Sequence, residues 1–191
     1  MKKNFIKYSV AVLIFCFLCC SGSKVLVIQK EFQNRPIAVN FLYEKGDEKI
    51  LNEYYASVGS GESEVVNLLT TLIKTHSFDE SDQINLKNSF IQSLEISKPF
   101  ESINYVNTRD SLKLIESDYN IIVSYFGGSV SPSWKVKIGL GYEIFTGKSS
   151  ESIVNKVDII EKSSMTKSLG KVKEECIKES INKLFEYLEK L

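Results

Sequence analysis

The sequence predicts one α+β domain, in which a mixed, largely antiparallel sheet carries helices packed on it. In the predicted strand at 134–145, apolar residues alternate strictly with polar residues or glycine from 134 to 144, as expected for a strand with one buried face. Apolar residues recur at helical spacing over residues 82–97 and again over 167–190. Because no linker, repeat or low-complexity stretch separates the interior elements, a single domain accounts for the alternating pattern.

Composition excludes several classes of protein. The chain has 191 residues, of which 43% are hydrophobic and 11% aromatic, so it is too apolar to be disordered. It carries 24 basic and 24 acidic side chains. This balance removes the usual argument for a nucleic-acid partner, which needs an excess of Lys and Arg on one face.

The first half of the domain combines strands and helices. Residues 24–30 form a short β-branched run that predicts a buried strand, and the alternation over 36–43 predicts a second strand. Residues 59–61, Gly-Ser-Gly, precede an amphipathic helix whose apolar stripe covers 65–72. The next helix covers 82–97 and is stopped by Pro99.

The second half predicts a long hairpin and a closing helix. Its elements are, in order, a strand at 103–106, a helix opened by Thr108 with Leu112, Ile115 and Tyr119 spaced to pack, a strand at 120–126, a loop at 127–133, strands at 134–145 and 152–161, and a helix at 167–190. A turn at Thr146-Gly147-Lys148 joins the two strands of the hairpin.

The order of these elements carries a resemblance over roughly residues 82–191. The helix opened by Thr108-Arg109-Asp110, the Asp118-Tyr119 step into a strand and the Thr-Gly turn at 146–147 are similar to the periplasmic α/β domain of curli-secretion lipoproteins and to the amino-terminal domain of TolB-like proteins. The resemblance implies a periplasmic α/β module. Residues 32–60 are too few for the membrane strands of the curli pore, so pore formation is not implied.

The N-terminus has the form of a bacterial export signal. Lys2, Lys3 and Lys7 precede an uncharged apolar stretch, Tyr8–Leu18, which is too short to span a bilayer as a helix. The apolar stretch ends directly on Cys19 and Cys20. We therefore divide the chain into a signal peptide at 1–19, a short tether at 20–24 and the α+β domain at 25–191.

A cysteine at the end of such a stretch resembles the lipobox of bacterial lipoproteins. The residues before Cys20 are Phe17, Leu18 and Cys19, and this loose spelling is more similar to relaxed spirochaete lipoboxes than to the strict enterobacterial form. The bulky Leu18 directly before Cys19 makes Cys19 the poorer candidate for lipidation. The resemblance implies a diacylglycerol thioether on Cys20, cleavage before it and a fatty acyl chain such as palmitate on the new amine. By family practice, Ser21 implies sorting to the outer membrane. A simple secretory signal and an uncleaved anchor are the alternatives.

Processing before Cys20 leaves Cys176 as the remaining cysteine besides the lipidated one, so an intramolecular disulfide is not expected. A small buried side chain is the favoured role for Cys176. The loss of three lysines leaves 21 basic against 24 acidic groups, so bulk charge does not favour anionic lipid or DNA.

Residues with catalytic potential are few. His76 is the single histidine, which excludes multi-histidine metal sites, and Glu64 stands where a phosphate-binding glycine motif needs glycine. Adjacent carboxylates, such as Asp79 with Glu80, are typical of a solvated surface. We predict no catalytic, cofactor or metal residue. Trp134 is a possible partner contact, although its alternation with Val136 and Ile138 favours an inward position.

These features predict a non-enzymatic, lipid-anchored binding or assembly module in a bacterial envelope complex. The expected partners are the membrane, through the lipid, and an envelope protein. The alternative is a carrier or sensor of a hydrophobic ligand held between sheet and helices. An enzyme is a third, less favoured hypothesis, which would require a cleft that gathers His76 with carboxylates.

Overall fold

The computed structural model describes residues 25–30, 35–47, 78–130, 135–147 and 152–191. Their order along the chain is β1 (Arg35–Lys45), α1 (Glu80–Ser97), β2 (Phe100–Val106), α2 (Arg109–Leu114), β3 (Tyr119–Val130), β4 (Lys135–Thr146), β5 (Ser152–Ser163) and α3 (Leu169–Leu188). The five strands form one open sheet in the order β2-β1-β3-β4-β5.

The sheet is mixed, as the sequence predicts. Strand β1 runs parallel to both of its neighbours, β2 and β3, while β3, β4 and β5 form an antiparallel meander. The antiparallel pairings are the longer ones, so the predicted α+β class with a largely antiparallel sheet is confirmed. The Asp118-Tyr119 step registers β3 against β1, because the Asp118 carboxylate accepts the backbone N–H of Ala38 at 2.8 Å and the Asp118 N–H donates to the carbonyl of Ala38 at 2.8 Å.

The main core lies between one face of the sheet and the helices α1 and α3. Strand β4 supplies its alternate side chains to this core, which confirms the period-two prediction. These side chains are fully buried: Val136, Ile138, Leu140, Tyr142 and Ile144. Helix α3 meets them with a stripe of buried side chains at helical spacing: Val172, Cys176, Ile177, Ile181, Leu184, Phe185 and Leu188.

Side-chain oxygens cap all three described helices. Helix α1 has a capping box, in which Asp79 accepts the N–H of Asp82 and the Asp82 carboxylate accepts the N–H of Asp79. Thr108 caps α2, as predicted, and Ser168 caps α3. Asp79 therefore has a structural role at a helix end.

The opposite face of the sheet has a smaller apolar cluster under α2. It consists of Leu42, Val106, Leu112 and Ile122. This face also carries charged and amide side chains, among them Arg109, Glu44 and Asn40.

Three predicted elements differ from the structure. Residues 25–30 do not join the sheet, although they were predicted to be a buried strand; they lie along α1. The predicted loop after residue 126 is wrong up to residue 130, because β3 continues through Gly127 and Gly128 to Val130. Helix α2 ends at Leu114, so Ile115 and Tyr119 lie beyond it.

The remaining predicted elements agree within a few residues at their ends. The turn after Thr146 is confirmed at Gly147. The amphipathic helix predicted around 65–72 and the turn at 59–61 lie outside the described residues. No helix in the described ranges is long and apolar enough to span a bilayer.

Candidate functional site

The sequence-predicted site residues lie outside the part of the chain that the structure describes. This holds for the lipidation candidates Cys20 and Cys19, for the partner-contact candidate Trp134 and for His76. What the structure does describe is the segment that follows the proposed tether. We call residues 25–30 the N-terminal strap.

A row of serines on α1 holds the N-terminal strap. The backbone N–H of Leu26 donates to Ser89 Oγ at 3.1 Å, that of Ile28 to Ser93 Oγ at 3.0 Å, and that of Lys30 to Ser97 Oγ at 2.9 Å. Two residues of extended chain advance about 6.6 Å, and four residues of α-helix advance about 6 Å, so alternate strap residues meet every fourth helical residue. The row thus satisfies strap amides that a neighbouring strand would otherwise bind.

Side-chain contacts add to these hydrogen bonds. Leu26 and Ile28 pack against the main core, and Ser97 Oγ donates back to the carbonyl of Ile28 at 3.3 Å. At the end of the strap, the Lys30 ammonium lies 2.6 Å from the Glu189 carboxylate, just beyond α3. The strap is therefore attached to both helices that cover the sheet.

The serine row has one more polar member. Asn85 precedes Ser89 by one turn of α1, and it is buried with an Oδ1 atom that has no hydrogen-bond partner. A buried acceptor without a donor is destabilising. Asn85 continues the serine row by one helical turn, so its Oδ1 is a fourth acceptor in line with the three that bind the strap. Ser81, one turn earlier, precedes the buried part of the stripe.

A charged cluster occupies the opposite face of the sheet. Arg109, the first residue of α2, donates to the Glu44 carboxylate of β1 at 2.6 Å and to the Glu143 carboxylate of β4 at 2.8 Å. Ser124 on the intervening strand β3 donates to Glu44 at 2.9 Å. The two carboxylates raise the pKa of Arg109 chiefly through these hydrogen bonds, so its guanidinium is a permanent cation.

An amide network lies beside the charged cluster and joins β1, β2 and β3. The buried Asn40 donates to Asn120 Oδ1 at 3.0 Å and to the carbonyl of Ile115 at 2.8 Å, and it accepts from Asn104 at 3.2 Å. Ser117 donates to Asn120 at 3.2 Å. Because the members satisfy one another, this network is a structural feature of the parallel strands rather than an open ligand site.

The described residues that could act chemically are engaged with one another or buried. The Arg109 guanidinium is engaged by two carboxylates and does not offer a free fork to a phosphate or carboxylate ligand. Cys176 is buried, as predicted, and desolvation raises the pKa of its thiol to about 12, so it is not a reactive nucleophile. Among the described residues, no group of three or more His, Cys, Asp or Glu side chains is arranged to hold a metal ion.

Sequence reasoning missed both the serine row and the charged cluster. The serine row has a visible signal, Asn85-x3-Ser89-x3-Ser93-x3-Ser97, which places four polar side chains on one face of a helix. The charged cluster has no local signal, since residues 44, 109 and 143 meet only through the sheet topology.

No protein-family model matches the chain, and no curated protein matches it. Solved structures share a general likeness at low identity. A Xanthomonas campestris protein described under DUF330 has 10% identity and a TM-score of 0.48, covering 85% of this chain and 89% of that one. A hypothetical protein from Chlamydia trachomatis has 7% identity and a TM-score of 0.48, covering 79% and 96%. A lipoprotein from Neisseria meningitidis has 11% identity and a TM-score of 0.32, covering 79% and 99%.

Proposed function

We propose that the chain is a bacterial envelope lipoprotein, anchored by lipid on Cys20, whose folded domain is a non-enzymatic binding or assembly module. The observation that carries this proposal is the N-terminal sequence, in which a basic segment and a short apolar stretch end on Cys20. The N-terminal strap supports it, because the chain is already attached to the domain at Leu26, a few residues after the anchor.

The lipid has to hold the protein at the membrane by itself. Each buried CH₂ group contributes about 0.8 kcal/mol, and two chains on one residue give stable attachment where one chain gives reversible binding. A diacylglycerol thioether supplies two chains. Sorting to the outer membrane through Ser21, N-acylation with palmitate and the kinship with curli-secretion or TolB-like domains remain finer parts of the proposal.

A binding module accounts for the described residues better than a ligand carrier. The space between the sheet and the helices is filled by large, fully buried side chains, among them Phe90, Tyr142 and Phe185. Solvent-accessible side chains of the opposite face, by contrast, include the charged cluster and Leu114, whose exposure is 84%. Leu114 is carried by the same short helix as Arg109, and an exposed leucine together with charged side chains suits contact with a protein.

The anchor is tested by replacing each candidate cysteine in the full chain. In cells fed a labelled fatty acid, we expect Cys20→Ala to lose the label and to move from the detergent phase to the aqueous phase on phase separation. The matched variant Cys19→Ala should keep the label and stay in the detergent phase. A labelled, detergent-phase Cys20→Ala protein would remove the anchor from the proposal.

The assembly role is tested separately by crosslinking in intact cells. Amine-reactive crosslinking of the lipidated protein should capture a defined envelope protein, and Leu114→Asp should reduce its yield without changing the detergent partition. A monomeric protein that captures no partner at any crosslinker length would contradict the assembly role and leave the anchor standing.

A further inference from the structure

The serine row sets the direction in which the N-terminal strap runs along α1. Lys30 lies beside Ser97 at the C-terminal end of α1, and Leu26 lies beside Ser89 near the middle of the helix. Followed backwards from Lys30, the chain therefore runs toward the N-terminal end of α1. Asn85 lies one turn further in this direction, with a buried oxygen that still lacks a donor.

The length of chain before the strap limits how far the membrane can be. Four residues separate Cys20 from Val25, and a fully extended chain of about five residues spans roughly 17 Å. Leu26 lies near the middle of α1, so a tether of this length that continues in the direction of the strap brings a lipid on Cys20 to the N-terminal end of α1.

The N-terminal part of α3 lies at the same end of the molecule. Lys173, in the second turn of α3, forms an ion pair with Asp82 in the first turn of α1. Phe78, just before α1, packs against Tyr125 in the later half of β3 with ring centroids 6.0 Å apart. The end of β3 and the beginnings of α1 and α3 thus form one end of the domain, which we call the strap-exit end.

The loop before α3 exposes an apolar side chain at this end. Met165 is fully exposed, and it is the most exposed large hydrophobic side chain in the described part of the chain. The loop is shaped by Ser164 Oγ, which accepts the N–H groups of Thr166 at 3.2 Å and Lys167 at 3.0 Å. Lys167 in turn forms an ion pair with Glu175, so the loop does not present an unpaired charge there.

We propose that the strap-exit end faces the phospholipid bilayer and that Met165 contacts the lipid at the boundary of headgroups and acyl chains. This orientation rests on the proposed anchor at Cys20. Leu114 and Ile115, which precede the beginning of β3 at the other end of the sheet, then face away from the membrane and toward the envelope partner. Lys167 and Lys173 are both paired with carboxylates, so the contact is assigned to the apolar side chain of Met165 rather than to these two cations.

The orientation is tested with one fluorescent probe at each end. Met165→Cys and Leu114→Cys are introduced separately into the full chain, and the lipidated proteins are labelled with the environment-sensitive dye NBD. Both positions are exposed and Cys176 is buried, so labelling is confined to the introduced thiol. The proteins are reconstituted into phosphatidylcholine vesicles with and without nitroxide-labelled lipid.

We expect the nitroxide lipid to quench the probe at position 165 several-fold more than the probe at position 114, with a blue-shifted emission at 165. Equal quenching at the two positions, or stronger quenching at 114, overturns the orientation. Flotation of the labelled proteins with the vesicles is read in the same samples. A protein that does not float refutes the anchor and the orientation together, whereas a floating protein with equal quenching refutes the orientation alone.

Discussion

A single residue, Cys176, illustrates how burial decides chemistry in this domain. Its side chain lies in the core, with Sγ 3.5 Å from the carbonyl oxygen of Val136. Desolvation raises the pKa of the thiol to about 12, because the loss of hydration of the thiolate outweighs the smaller stabilisation that Lys162 gives it. The thiol is therefore unreactive near neutral pH as long as the domain is folded.

Thiol counting gives a prediction at this scale. In the mature protein with Cys20 alkylated by lipid, we expect no thiol to react with Ellman's reagent at pH 8 in the native state, and one to react in guanidinium chloride. Two reactive thiols in the denatured mature chain would show that Cys20 carries no thioether. A native thiol that reacts at the denatured rate would contradict the burial of Cys176.

The same scale shows why the charged cluster escapes prediction. Arg109 was noted in the sequence because it follows the helix-capping Thr108, and nothing near it in the chain indicates an acidic partner. Its partners Glu44 and Glu143 come from strands on either side of β3, and only the mixed strand order brings them within 3 Å of one guanidinium. A pairing of this kind follows from topology, which a single sequence does not specify.

At the scale of the element, two glycines differ in the space around them and can be compared by the same substitution to alanine. A Cβ atom at Gly147, in the turn after β4, would lie 1.7 Å from the carbonyl oxygen of Ser117. A Cβ atom at Gly170, in the first turn of α3, would meet nothing within 4 Å. The first glycine is required by close backbone approach, and the second only lowers helix propensity.

We therefore expect Gly147→Ala to lower the free energy of unfolding by about 2 kcal/mol or more, since the turn must move to admit the methyl group. Gly170→Ala should raise it by about 0.5 kcal/mol through helix propensity. Urea denaturation followed by circular dichroism measures both. Equal effects of the two substitutions would mean that the turn packs differently around Asp118 and Ser117.

The strap gives a second prediction for an element. Ser93→Ala removes the acceptor for the Ile28 N–H, and we expect a loss of about 1 kcal/mol in the stability of the strap. Hydrogen exchange at the Ile28 amide should then be roughly fivefold faster, because 1.4 kcal/mol corresponds to a factor of ten. The neighbouring Gln92→Ala, on the exposed side of α1, is the control and should leave the exchange rate unchanged.

Elements with a clear hydrophobic periodicity could be predicted from the sequence. Elements whose conformation depends on contacts with another part of the chain could not. The apolar alternation in β4 and the apolar stripe of α3 each indicate which face of the element is buried. Both elements occur as expected. The strap resembles a strand in composition, but its amides bind serines of α1 rather than another strand. In β3, Gly127 and Gly128 suggest a loop, yet a Cβ atom at Gly128 would lie 2.8 Å from Phe78 and 3.0 Å from the Tyr125 hydroxyl, so the strand needs glycine there for packing.

At the scale of the whole molecule, several weak acids are buried in their neutral form. Tyr142 donates its hydroxyl to the carbonyl of Ser180 at 2.9 Å within the core, and desolvation raises its pKa well above 10.0. Burial likewise raises the pKa of Tyr43, whose hydroxyl lacks a hydrogen-bond partner, and of Cys176. Each of these groups ionises more readily in the unfolded chain than in the folded domain.

The sign of the resulting pH dependence follows directly. Since the folded pKa values lie above the unfolded ones, the contribution of these groups is fully present below about pH 9 and is lost as pH rises above the unfolded pKa values of 9.0 for Cys176 and 10.0 for tyrosine. Above its unfolded pKa, each group removes about 1.4 kcal/mol of unfolding free energy per pH unit. We expect a stability that changes little from pH 7 to 9 and falls steeply from pH 10 to 11.

Tyr142→Phe isolates one member of this set. At pH 8 the variant should be less stable than the wild type by about 1 kcal/mol, because the carbonyl of Ser180 loses its donor. Above pH 10 its stability should fall with a slope smaller by about 1.4 kcal/mol per pH unit, so the two curves converge and then cross. Guanidinium denaturation at intervals from pH 8 to 11 measures the slopes, and the shared titration of lysines cancels in the comparison. Parallel curves for wild type and variant would show that Tyr142 ionises equally in both states, which is incompatible with its burial beneath α3.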